Sequence, residues 1–498
     1  MPIPASPAEI ATLPALCVDL DGTLVKSDTL VDSTLALARY HPSDLLKLPG
    51  WLLQGKAALK RHIAGAVQLD VVHLPYNREL LQYLEQQHAI GRPLYLATAA
   101  DAATAQRVAD HLGIFNGVLA SDGTLNLSGN NKLAAFRERF GDNFCYIGNA
   151  TPDLALLQNC QEPMVANPTA GLRSALRRAK ITPVRTFREQ VSPLKAWPKA
   201  IRLHQWAKNT LIFVPLLLAH LWATGRVVGT LLAFLSFGLC ASATYIVNDL
   251  LDLEADRQHP RKRRRPFASG DLSAIAGVAV VGLFLVASIV IGILLPIIVS
   301  RLSPGQALHR PYHFLVWLGI YCVTTLAYSL RLKRAVLVDV IVLSGLYTVR
   351  IIAGAAAAGI PLSTWLGSFS IFFFLSLAFV KRFAELENLR ERGGVVAKGR
   401  GYHVSDIEQL RSFGSASGYA SVVVLTLYIS NLNADAAQLY HHINRLWLLV
   451  PIVLLWLSRL WLQASRGQLD EDPVVYAITD RRSLLLGLLV VAVVLSAL

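Results

Sequence analysis

Cysteines and carboxylates are both scarce in this 498-residue chain. The five cysteines, Cys17, Cys145, Cys160, Cys240 and Cys322, are scattered without CxxC spacing, which excludes a disulfide framework and a cysteine-based zinc site. Charged residues make up only 16% of the chain and apolar residues 53%, too apolar for a wholly soluble protein. Asp and Glu number 33 against 47 Lys and Arg, a net charge of +14. Residues 1–198 hold 19 basic against 17 acidic side chains, and residues from 199 onward hold 28 against 16. A basic, apolar half points to anionic headgroups or a phosphorylated substrate and away from nucleic acid. The opening MPIPASPAEIATLPALCVDLD lacks a basic region followed by a long apolar run. No signal peptide is expected, and the first part of the chain is expected to stay in the cytoplasm.

From about residue 205 there are nine apolar stretches of near-spanning length: 208–224, 227–249, 273–300, 312–329, 336–357, 362–381, 416–432, 443–463 and 483–498. The loops at 250–272, 330–335, 382–415 and 464–482 are rich in Lys and Arg, whereas the alternate loops hold few. The positive-inside rule then predicts a multi-pass protein of the inner, cytoplasmic membrane with its basic loops inside.

One of those loops carries IVNDLLDLEADRQHPRKRRRPFASG. Asp249, Asp252 and Asp256 are spaced i, i+3 and i+7, within roughly 60° of one another on a helix, with Asn248 beside them and six Lys/Arg behind. Clustered carboxylates repel unless a cation sits among them, and hard oxygen ligands shared with phosphate suit Mg²⁺. A metal-and-diphosphate site at a bilayer face is therefore expected, with the flank that merely orients a span as the plainer reading.

Near the N-terminus, ALCVDLDGTLVKSDTL delivers Asp19 and Asp21 at the end of a short apolar strand, where an open α/β sheet holds its site. This DLDGT resembles the signature of the haloacid dehalogenase superfamily. The resemblance implies Asp19 as nucleophile toward phosphorus, Asp21 as the proton donor to the leaving group, and Mg²⁺ as cofactor. It extends in order to Thr98 (a phosphoryl-oxygen ligand), Lys132 (a phosphate-neutralising cation), and Asn149 and Asp153 (the metal-binding position). Asn149 stands where such phosphatases usually carry aspartate, so weakened Mg²⁺ binding is expected, in a working phosphatase or a silenced scaffold. The predicted organisation is an α/β Rossmannoid domain over 1–185 with a small helical cap at about 25–90. A linker at 186–198 and an all-α membrane domain of nine transmembrane helices over 199–498 follow.

A second carboxylate region, AYSLRLKRAVLVDVIVLSGLYTVRIIAG, holds Tyr328, Lys333, Asp339 and Arg350. Charges inside spans belong in a bundle interior or a polar cavity. Asp339 and Arg350 are separated by about 16 Å of helix, so separate partners are expected. The two regions together resemble the UbiA-type intramembrane prenyltransferases: NDLLDLEAD fits NDxxDxxxD, and YSLRLK with Asp339 fits the second motif. The resemblance implies Mg²⁺ held by aspartates on a diphosphate, with a polyprenyl phosphate or diphosphate lipid as substrate. LHQWAKN, HPRKRRRPFASG, VRIIAGAAAAGIPLS and VKRFAELE resemble most closely the branch that transfers phosphoribose to decaprenyl phosphate, with phosphoribosyl diphosphate as donor. Lys208, Asn209, Lys262, Arg265, Lys333, Arg350, Lys381 and Arg382 are then candidate substrate ligands, although each cation alone also fits a snorkelling interfacial residue. Prenylation of an aromatic acceptor such as 4-hydroxybenzoate is the nearest alternative. A transporter is less well matched, because no paired repeats with interrupted helices are apparent.

Overall fold

The computed structural model describes all residues except 1–12, 123, 125, 190, 305–307, 309, 397–399, 432–439 and 470–472. The chain's start, read as free of a signal sequence, and parts of the loops expected at 301–311 and 433–442 lie outside the described residues. Two compact units form: Met1–Ile201 with Tyr245–Val281, and Arg202–Thr244 with Gly282–Leu498.

The first unit is built on six parallel strands: β1 (Ala15–Val18), β2 (Leu94–Asp101), β3 (Gly117–Ser121), β4 (Phe144–Gly148), β5 (Pro163–Ala166) and β6 (Arg185–Phe187). Their order is β3-β2-β1-β4-β5-β6. Strands covered on both faces read as continuous apolar runs, and β1 and β4 are buried throughout. Leu16, Val18, Cys145 and Ile147 feed one core layer, and Cys17, Phe144 and Tyr146 the other. The order reverses between β1 and β4, so the crevice beyond their carboxyl ends is where a ligand site belongs.

Helices α1 (Thr29–Tyr40), α2 (Lys56–Ala66) and α3 (Arg78–Ala89) precede β2. The expected cap ends earlier than residue 90, because Leu80 and Leu84 of α3 are fully buried in the sheet's own core. The expected linker is also shorter. β6 falls at its start, since Phe187 is buried against Tyr83. Pro193–Ala200 is helical and buries Ala196 and Ala200. Asn130–Phe140 is α4, and Pro193–Ala200 is α5.

Seven helices are long and apolar enough to cross a membrane, among the described residues. In chain order the principal helices are α6 (Val214–Ala219), α7 (Thr224–Leu251), α8 (Leu253–Gln258), α9 (Ala274–Leu302), α10 (His313–Leu330), α11 (Val338–Ala358), α12 (Thr364–Glu391), α13 (Ile407–Ser430), α14 (Leu449–Ser465) and α15 (Arg481–Ala497), with a short helix, Pro473–Thr479, before the last. Two of the nine expected spans fall short. The first is a 3₁₀ segment, Leu203–Phe213, followed by the six-residue α6, and the last, α15, has 17 residues. The 3₁₀ segment lies hard against α11: a Cβ at Gly354 would sit 2.0 Å from the Ile212 carbonyl oxygen.

Candidate functional site

In the first unit, Asp19 follows β1, Thr98 lies within β2, Lys132 projects from α4, and Asn149 and Asp153 follow β4. The switch-point crevice brings them together. Lys132 Nζ donates to Asp19 Oδ1 at 2.9 Å, to Tyr146 Oη at 3.0 Å and to the Ala97 carbonyl at 3.2 Å. Asp153 is spent on the protein: Oδ1 accepts from Tyr146 Oη at 2.8 Å and Oδ2 from the Asn149 and Ala150 amides. Asp21 Oδ1 accepts from the Thr29 amide at the start of α1, at 2.7 Å. The fully buried Thr98 hydroxyl accepts from the Ala100 amide at 3.0 Å. Gly22 has φ +72°, and a Cβ there would lie 2.0 Å from Asn149 Nδ2, so the loop after Asp21 can meet that amide only as glycine.

Burial pushes the Asp19 carboxyl up to about 6 against the opposing pull of Lys132, and burial with the Asp28 charge pushes Asp21 up to about 7. Two carboxylates short of positive charge, with the Asn149 side chain beside them, fit a divalent cation. Asp153 then buttresses the Asn149 loop. Lys60, which the sequence pattern does not single out, reaches in from α2 to the Ala99 carbonyl at 2.6 Å and to Asn126 at 3.0 Å.

The aspartate motif differs from an unbroken helical face. α7 stops at Leu251, and Asp252 stands between the helices at φ −94°, ψ +15°. Asp249 and Asp256, both buried, meet at one nitrogen: Arg265 Nη1 donates to them at 2.9 and 2.6 Å. Lys262 Nζ lies 4.0 Å from Asp256. Asp252 pairs with Arg39 of α1, at 3.0 Å. Asn248 is half-buried on the last turn of α7. Among the described residues, no three His, Cys, Asp or Glu side chains converge as a preformed metal cluster. Burial nevertheless raises the Asp256 carboxyl, and Asp249 adds to the rise despite the opposing pull of Arg265. Two buried carboxylates that share one cationic nitrogen fit a divalent cation, which Asp249 and Asp256 would hold.

The second unit gathers two polar clusters. Asp339, fully buried on α11, accepts from Arg382 Nε of α12 and from Tyr402 Oη, each at 2.5 Å. Arg382 also donates to Tyr328 Oη at 2.7 Å and to Glu385 at 2.6 Å, and Arg400 adds bonds to Glu385 and Tyr328. Tyr402 Oη in turn accepts from the Leu337 amide, where φ is +66°, rare for a branched side chain. Arg350 donates to Asn209 at 2.9 Å and to Tyr321 Oη at 3.1 Å, while Lys208 Nζ lies 5.7 Å from the Tyr347 ring centroid. Asp339 and Arg350 thus have separate partners. Lys333 sits in the turn before α11, and Lys381 precedes Arg382 on α12; both are half-buried. Tyr402, Arg400 and Tyr321 complete these clusters but carry no motif spacing that would mark them in the sequence, whereas Glu385 lies within VKRFAELE but is not singled out by it.

An apolar cavity of about 700 Å³ opens among Leu211, Val214, Phe373, Trp456 and Gly487, and Ala207, Thr210 and Ile351, chain neighbours of the Lys208–Arg350 cluster, also line it. A second cavity of about 350 Å³ shares Leu366, Phe369, Val453 and Val490 with the first.

Residues 212–479 match the UbiA prenyltransferase family. The chain is 38% identical over 483 residues to the uncharacterized protein y4nM of Sinorhizobium fredii, covering 96% of this chain and 90% of that one. It is 36% identical over 307 residues to the nodulation protein NoeC of Azorhizobium caulinodans, covering 59% and 92%. It is 34% identical over 239 residues to the decaprenyl-phosphate phosphoribosyltransferase of Mycolicibacterium smegmatis, covering 46% and 69%.

Proposed function

Since the chain belongs to the UbiA prenyltransferase family, we propose that this multi-pass membrane transferase moves 5-phosphoribose from phosphoribosyl diphosphate to a polyprenyl phosphate. The reaction takes place at the cytoplasmic face of the inner membrane. The observation that carries this reading is Arg350, 5% exposed in the membrane half, whose hydrogen bonds among the described residues go to neutral groups, Asn209, Tyr321 and the Leu346 carbonyl. A buried guanidinium bonded only to neutral groups favours an anion beside it, and two phosphorylated substrates supply more anionic groups than a prenyl diphosphate and a phenol. Similarity to a phosphoribosyltransferase supports the same choice.

Asp249, Asp252 and Asp256 would hold Mg²⁺, which when bound draws charge onto the departing diphosphate. Arg265 and Lys262 lie ready to take the charge of the diphosphate itself. Lys208, Asn209 and Arg350 orient the acceptor phosphate, and the apolar cavity beside them takes the start of the prenyl chain. The acceptor oxygen is already anionic near neutral pH, so attack at the anomeric carbon needs no protein base. Tyr328, Lys333, Asp339, Lys381 and Arg382 form the remaining polar wall.

The first domain then removes the 5-phosphate from the lipid-linked product. Asp19, oriented by Lys132, attacks phosphorus to form an aspartyl phosphate while Asp21 protonates the departing ribose oxygen and Thr98 holds a phosphoryl oxygen; water, giving its proton to Asp21, then cleaves the aspartyl phosphate, releasing inorganic phosphate and restoring Asp19. Asp19, Asp21 and Asn149 would hold the Mg²⁺ that shields the phosphate, with Asp153 fixing the Asn149 loop. Membranes given either phosphoribosyl diphosphate with polyprenyl phosphate, or polyprenyl diphosphate with 4-hydroxybenzoate, should form lipid product only from the first pair. Product from the second pair alone would replace this reading with aromatic prenylation.

A further inference from the structure

Helix α8 is six residues long and carries Asp256, yet a helix of that length does not hold its own shape or direction. Its placement comes from side chains that reach out of it, and nearly all of them end on residues 27–70. Arg257, 5% exposed, donates to Asp32 Oδ2 at 2.9 Å, to Ser27 Oγ at 3.1 Å and to the Ala268 carbonyl at 3.3 Å. Glu254 accepts from the Asp70 amide at 3.2 Å, and Gln258 donates to the Asp70 carboxylate at 2.8 Å. Asp252, at the break before α8, pairs with Arg39. Asp32, Leu35 and Arg39 stand at i, i+3 and i+7, one face of α1. Between the two ionic residues, Leu35 packs against the apolar cluster that contains Ile246, Leu250, Leu253 and Phe267. The opposite end of α1 donates its first amide to Asp21.

We propose that α1 and the Asp70 loop of the phosphatase-like domain are positioning elements of the transferase, setting Asp256 opposite Asp249 through the Asp32–Arg257 ion pair. This rests on the reading that the aspartate motif holds the diphosphate's cation. The first domain thereby has two roles: it carries its own crevice, and it supplies the outer support of the neighbouring metal motif. A chain silenced at Asp19 keeps the second role.

The test uses full-length protein in lipid nanodiscs, carrying Asp19→Asn and Asp21→Asn so that only the aspartate motif takes Mn²⁺, with binding followed by electron paramagnetic resonance. Adding Asp32→Ala is expected to weaken Mn²⁺ binding about tenfold, the low end of what losing an outer support costs a metal site. In transfer assays the Mg²⁺ concentration for half-maximal rate should rise by the same factor, with the rate at saturating Mg²⁺ kept within about twofold. The apolar pair Asp32→Leu with Arg257→Met should restore binding to within about threefold, because it keeps the docking without a stranded charge. Should Asp32→Ala not fold, Asp70→Ala removes the Gln258 support while keeping the backbone amide that Glu254 accepts from, and must itself weaken binding. Equal Mn²⁺ affinity in parent and variants overturns the proposal alone. Mn²⁺ binding that survives Asp249→Ala overturns the premise and the proposal with it.

Discussion

Replacing Asp339 by asparagine tests whether the charges inside the membrane half are structurally coupled as the geometry indicates. Asp339 is fully buried and accepts from Arg382 and Tyr402 at 2.5 Å each. Removing one member of a buried ion pair costs about 3–5 kcal/mol, because the other charge is left without compensation. Here Arg382 keeps Glu385 and Tyr328, and the Glu385 side chain is 41% exposed. With those partners retained, the expected loss is about 2–3 kcal/mol. Unfolding of the purified protein in mixed micelles, followed by tryptophan fluorescence, should show the midpoint falling for Asp339→Asn. The pair Asp339→Leu with Arg382→Met should regain most of the loss, since a well-packed apolar pair replaces a buried ion pair with little penalty. Both variants should lack transfer activity if the network also faces substrate. An unchanged midpoint for the single variant, or an equal loss in the apolar pair, would refute the reasoning.

Asp19→Asn should stop release of inorganic phosphate while leaving formation of lipid-linked phosphoribose unchanged; equal phosphate release by variant and wild type would show the first crevice to be idle. The raised carboxyls of Asp19 and Asp21, about 6 and about 7, contribute stability at low pH that is lost as pH rises through those values. In EDTA the melting temperature of the first domain should therefore fall between pH 5 and 8, and Mg²⁺ should flatten that fall; a rise over this window in EDTA would contradict it. Gly487 lines the larger cavity, and a Cβ there meets nothing within 4 Å. Gly487→Phe should raise KM for a long-chain prenyl phosphate by about tenfold while sparing a short-chain one, a loss of about 1.4 kcal/mol of apolar contact; equal effects on both would place the chain elsewhere.

The sheet was legible because its central strands are buried apolar runs ending in chemistry: Leu16 to Val18 leads directly to Asp19, and Phe144 to Gly148 to Asn149. β6 escaped notice because three residues among prolines give no periodicity; only the burial of Phe187 makes them a strand. The polar clusters of the second unit were half legible. Asp339, Arg350 and Arg382 stand out because charge in an apolar run is costly, whereas Tyr402 and Tyr321 are ordinary residues until folding sets their hydroxyls beside those charges. The aspartate face was misjudged for a definite reason. Helical spacing assumes one unbroken helix, whereas Asp252 leaves helical dihedrals between two helices and pairs with Arg39, more than 200 residues earlier in the chain.

The central claim is that Asp249 and its neighbours drive transfer of phosphoribose onto a lipid phosphate. Its most direct test supplies ribose-labelled phosphoribosyl diphosphate and polyprenyl phosphate to membranes containing the Asp19→Asn protein, and counts label extracted into organic solvent with and without Mg²⁺. Label should move to the lipid only with Mg²⁺, and should fall at least a hundredfold, about 2.7 kcal/mol of barrier, on adding Asp249→Ala. Undiminished transfer by the Asp249→Ala protein, or no lipid label from the parent, would contradict the account.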